Sequence, residues 1–113
     1  MVVLLLASPL AVVPLNADAR SDAKKQSEFG ISVAQRGLWR EAIYRWERAV
    51  EIDPSYAAAH NNLAIAYEHE GEMDKARAAY EKALALEPDN SFIKQNYELF
   101  KEINDRTTRQ DSQ

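Results

Sequence analysis

His60 and His69 are the only imidazoles in this chain of 113 residues, and cysteine is absent. Nine residues apart, they miss the four-residue spacing that sets two metal ligands on one helix face. His69 stands beside Glu68, Glu70 and Glu72, so a weak metal site at this acidic turn is one reading. A solvated charged turn is the other. Without cysteine there is no thiolate nucleophile, no disulfide framework and no thiolate-ligated metal. No glycine-rich phosphate loop occurs, and no serine has a plausible His–Asp set in so short a helical frame. The chain therefore reads as a non-enzyme without a cofactor. A net charge of −4 also argues against nucleic acid as the main partner, because phosphate contacts need clustered Lys and Arg.

What remains is recognition chemistry, and it needs elements to position it. Only 3 glycines and 4 prolines, against abundant Ala, Glu, Leu and basic residues, favour helix throughout. Laid over itself at a shift of 34, the chain agrees repeatedly. Gly37 falls on Gly71, Ala42 on Ala76, Trp46 on Tyr80, Ala49 on Ala83 and Pro54 on Pro88. Each unit reads as two helices, with Gly37 or Gly71 at the inner turn and Pro54 or Pro88 ending the second helix. Ala59, Leu63, Ala66 and Tyr67 recur at intervals of three and four, giving an apolar stripe. Small residues at Ala42, Ala49, Ala76 and Ala83 allow close approach of backbones, with Phe29, Trp46, Leu63, Tyr67 and Tyr80 filling the space opposite. Trp39 and Tyr44 complete an aromatic set whose helical spacing suits core better than ligand stacking.

These residues resemble the tetratricopeptide repeat family. Taking units at 23–56 and 57–90, the second supplies Leu63, Ala64, Tyr67, Ala76, Tyr80, Ala83 and Pro88 at signature positions and departs at His60, where Trp is common. The first supplies Phe29, Gly30, Val33, Ala42, Trp46, Ala49 and Pro54 and departs at Gln26. The resemblance implies an all-α array of antiparallel helix hairpins, an α-solenoid of about two and a half repeats. Residues 91–104 resemble a solvating cap helix, introduced by Asp89-Asn90-Ser91 as capping side chains. The apolar-free stretch 105–113 reads as a disordered tail.

In the family the first helix of each unit lines a concave groove. Ile31, Ile65 and Leu99, spaced by 34, then form an apolar ladder along its floor. Ser27, Asn61 and Gln95 lie beside it, with Asn62 and Asn96 adjoining and His69 at the edge. Such a strip suits a peptide or helix of a partner protein, since amides pair with backbone groups while pockets take side chains. Internal packing, or cover by the chain's own N-terminal segment, is the competing reading. Members that grip a free C-terminal carboxylate use Lys, Asn and Arg at places held here by Ser27, Ile31, Phe92 and Asn96. Only Asn62 fits, so that mode is not expected.

Two further expectations concern the ends and the charge. Val2 to Leu15 is uncharged, too short to span a bilayer and interrupted by Pro9 and Pro14. Followed by Ala17-Asp18-Ala19, it reads as an export signal over residues 1–19 that lacks the usual basic leader, with cleavage ahead of Arg20. The folded domain then covers 20–104 in a periplasmic or extracellular protein; an uncleaved segment would be a membrane tether, and a plain N-terminal tail would leave the protein cytoplasmic. Residues 20–50 carry seven basic against four acidic side chains, and 51–91 carry three against nine. That division allows a homo-oligomer stacked head-to-tail as an alternative to the adaptor reading.

Overall fold

The computed structural model describes residues 17–112. Five helices follow one another: α1 (Ala17–Gln35), α2 (Trp39–Ile52), α3 (Ala57–His69), α4 (Met73–Leu86) and α5 (Ser91–Asp111). No strand occurs among the described residues. Packing runs in chain order, α1 on α2, α2 on α3, α3 on α4 and α4 on α5. The result is two antiparallel hairpins and a final helix in an all-α repeat array.

Both hairpin turns have the same construction. Gly37 and Gly71 adopt φ of 79° and 75°, a left-handed backbone open to glycine and strained for most other residues. The Gly37 amide donates to the Ala34 carbonyl (2.9 Å) and the Leu38 amide to Val33 (3.0 Å). Gly71 to Glu68 (3.0 Å) and Glu72 to Tyr67 (2.8 Å) repeat the pattern. These paired bonds close the helix C-terminus and reverse the chain. At the outer connections, Pro54 and Pro88 follow α2 and α4 by two residues. Asp53, buried before Pro54, accepts bonds from the Ser55 amide (3.0 Å) and hydroxyl (2.6 Å). His60 Nε2 donates to the Pro54 carbonyl at 2.9 Å, which gives that imidazole a structural role.

Ala42, Ala49, Leu63, Ala64, Ala76, Tyr80 and Ala83 are buried, as are Gly30 and Trp46. Trp46 anchors the first hairpin: its indole N–H donates to the Ser27 carbonyl at 3.0 Å. Truncating a buried tryptophan to alanine costs about 3–5 kcal/mol. Tyr67 is half-buried and packs against the same core.

Three arrangements depart from expectation. Phe29 is not core but 47% exposed, with the Arg45 guanidinium 4.2 Å from its ring centroid. Its equivalents, Leu63 and Tyr97, belong to helices that pack on a preceding second helix, whereas no described helix precedes α1. Ser27, expected beside the groove, is instead 2% exposed beneath Trp46. The expected tail is helical to Asp111. Helix propagation adds one backbone bond per residue without needing an apolar face. Glu102 pairs with Arg106, while the Thr107 and Thr108 hydroxyls bond the carbonyls of Ile103 and Asn104.

The expected export segment lies outside the described residues except for Ala17, Asp18 and Ala19, which form the first turn of α1. The cleavage point ahead of Arg20 therefore falls within a helix. No described helix is long and apolar enough to cross a membrane.

Candidate functional site

An open depression of about 390 Å³ lies where α1, α2 and α3 meet. Ile31, Ala34 and Gln35 of α1, Trp39 and Trp46 of α2, and Asn62 and Ile65 of α3 line it. Helical spacing explains the convergence. Ile31, Ala34 and Gln35 share one face of α1, and Asn62 and Ile65 one face of α3. Trp39 opens α2 directly above the turn. Ile31 is exposed and Ile65 half-buried against the core. The floor is apolar, and Gln35 and Asn62 each add an amide capable of both donating and accepting.

One wall carries two contacts between α2 and α3. The His69 ring stacks on Trp39, with centroids 3.8 Å apart and planes 10° from parallel. The next residues also pair, Arg40 Nε with Glu70 Oε2 at 3.2 Å. The end of α3 is thus fastened to the start of α2. This resolves the acidic turn. His69 is stacked on an indole, Glu70 is paired with Arg40 and Glu68 accepts from the Tyr80 hydroxyl. Among the described residues no group of three or more metal-ligating side chains converges. The metal reading of this turn is not supported, because its ligands are drawn apart by their own partners.

The remaining expected site residues divide. Asn61 Oδ1 accepts from Asn96 Nδ2 at 3.2 Å, tying α3 to α5. Gln95 and Leu99 are exposed on α5 and do not line the depression. The ladder of Ile31, Ile65 and Leu99 therefore has two members at the depression and a third beyond it. Charge division is also partly closed within one molecule, since Arg48 pairs with Glu51 and Arg40 with Glu70 of the second repeat.

A series of ties has no counterpart in the sequence reading. Tyr67 donates to Glu47 (2.8 Å), Tyr80 to Glu68, and Tyr97 to Glu81 (2.9 Å). Each joins one helix to its predecessor: α3 to α2, α4 to α3, α5 to α4. Burial, followed by the carboxylate partner, holds all three phenols above the ordinary tyrosine range. Separations of 20, 12 and 16 residues follow no constant period, so no regular spacing announces them.

Comparison with known proteins agrees with this architecture. A tetratricopeptide repeat model matches residues 28–91. The type IV pilus assembly protein PilF of Pseudomonas aeruginosa is 36% identical over 86 residues, covering 74% of this chain and 34% of that protein. The photosystem I assembly protein Ycf3 of a Synechococcus strain is 29% identical over 103 residues, covering 88% and 59%. The crystal structure of MamA superposes with a TM-score of 0.69 at 28% identity, covering 75% of this chain and 50% of that one. The chain thus spans about a third of the pilus protein's length. With five helices packed in sequence order and a family model matching more than half its length, the chain belongs to the tetratricopeptide repeat family.

Proposed function

We propose that the chain is a non-enzymatic adaptor that holds a segment of a partner protein, peptide or helix, in the depression between α1 and α3. A bulky apolar side chain of the partner seats on Ile31, Ala34, Trp39 and Ile65, and the Asn62 amide pairs with the partner's backbone. The single observation that carries this reading is that apolar-floored depression with an amide at its rim. The names of two relatives, both assembly proteins, favour a role in building complexes. Gln95 and Leu99 lie beyond this first seat and would extend it only for a longer partner.

Capture of a partner by the full chain tests the proposal, with Ile31→Glu and Ile65→Glu as controls. Both should abolish capture. Ile65→Glu alone risks unfolding, because Ile65 packs on the core; Ile31 is 42% exposed, so Ile31→Glu should keep its helicity by circular dichroism. Capture unchanged by Ile31→Glu would end the proposal. Export is a separate proposal resting on Val2–Leu15, and intact mass retaining Met1 would count against cleavage.

A further inference from the structure

The apolar depression between α1 and α3 does not end at Ile65. That side chain also lines a neighbouring depression of about 260 Å³, whose other walls are Glu68 and His69. Repeat register explains the change of chemistry. Glu68 stands three residues after Ile65, as Ala34 stands three after Ile31, so the two hold equivalent places on α3 and α1. A methyl group lines the first depression and a carboxylate the second. That carboxylate is held but not neutralised. Glu68 is half-buried, and its Oε2 accepts from the Tyr80 hydroxyl. An ionised carboxylate has about four acceptor sites, so capacity remains.

The other acids of this turn have cations of their own, Glu70 with Arg40 (3.2 Å) and Glu72 with Lys75 (3.4 Å). His69 is occupied by its stack on Trp39. Among the described residues no basic side chain pairs with Glu68. Its position is also unfavourable to α3 itself. Glu68 lies in that helix's last turn, where the macrodipole is negative and an acidic side chain is disfavoured. A cation brought to this point is attracted by the carboxylate and by the helix end together. Resting on the adaptor reading above, we propose that the depression at Glu68 is a second seat, for an Arg or Lys of the same partner segment whose bulky apolar residue fills the first. The partner segment therefore joins an apolar anchor to a basic residue at a fixed spacing. An acidic residue at that spacing is rejected by like charge. The bond to Glu68 is charge-assisted and relieves a half-buried carboxylate that otherwise lacks a counter-ion.

A phage-displayed library of random twelve-residue peptides, panned on the full chain, tests this. Enriched peptides should share a bulky apolar residue with Arg or Lys at one constant spacing from it. Panning on Glu68→Gln, which keeps an acceptor for the Tyr80 hydroxyl, should retain the apolar residue and lose the basic one. Glu87→Gln removes the same charge from an exposed site before α5 and should leave both. For one selected peptide made synthetically, affinity should fall about fivefold on replacing its basic residue by Gln or on Glu68→Gln, with little further loss when both are changed. Rising salt should erase that difference. Basic residues without a fixed spacing, or basic residues still enriched by Glu68→Gln, would reduce the preference to net charge and overturn the second seat while the apolar seat stands. No enrichment of an apolar residue, or enrichment indifferent to Ile31→Glu, would remove the adaptor reading and this seat together.

Discussion

The indole of Trp46 lies so close over Gly30 that a Cβ built on that glycine would fall 2.6 Å from Nε1 and 2.8 Å from Cε2. The contact is with the rigid ring, which is already fixed by its bond to the Ser27 carbonyl. A residue chosen for absence of a side chain thus determines how closely α1 and α2 approach.

Gly30→Ala should therefore destabilise the first hairpin. Alanine in a helix gains roughly 0.5–1 kcal/mol over glycine, but overpacking a fixed neighbour costs roughly 1–3 kcal/mol. A net loss of about 1 kcal/mol lowers Tm by about 5 °C in a domain of this size. Thermal unfolding with a raised Tm would show that Trp46 yields and that the close approach is not required.

The tyrosine ties predict an alkaline weakness. Burial and the adjacent Glu47 and Glu68 carboxylates raise the Tyr67 and Tyr80 hydroxyls above their unfolded value. Their folded forms hold protons more tightly than the unfolded chain. Stability from this source is complete below a pH of about 10 and declines as pH rises past it, when only the unfolded state ionises. Denaturant unfolding across that range should show the decline, and Tyr67→Phe should flatten it while costing about 1 kcal/mol at neutral pH. An unchanged slope in Tyr67→Phe would remove this tyrosine from the account.

Asn90 caps α5, its side chain accepting from the Phe92 and Ile93 amides at 3.0 and 3.1 Å. Asn90→Ala should cost about 1 kcal/mol, expressed as faster hydrogen exchange at those two amides and in the first turn of α5. Exchange unaltered there would mean that packing of Ile93 alone starts the helix.

Much of the array was legible because its instructions are local. Gly37 and Gly71 mark turns through backbone freedom, Pro54 and Pro88 stop helices through the missing N–H, and Ala42, Ala76 and Ala83 mark crossings through size. Asn90 announces α5 by capping chemistry. The site was legible only in part. Ile31 and Ile65 reach the depression as their shared repeat position suggested, but Leu99, at the same position, stands on α5 outside it. Trp39 and His69 gave no sign of stacking, since 30 residues separate them and neither lies on a shared stripe.

By itself, then, the order of residues determined the helical period, the 34-residue repeat and the two hairpin turns, since each depends on interactions within a few residues along the chain. Tertiary structure decided which equivalent positions are equivalent in surroundings. Phe29 matches Leu63 in register yet is exposed, because Leu63 has α2 to pack against and among the described residues no helix precedes α1. Ser27 lies buried under an indole, and Leu99 stays uncovered. A repeat fixes what each helix can offer; its neighbours fix what becomes of the offer.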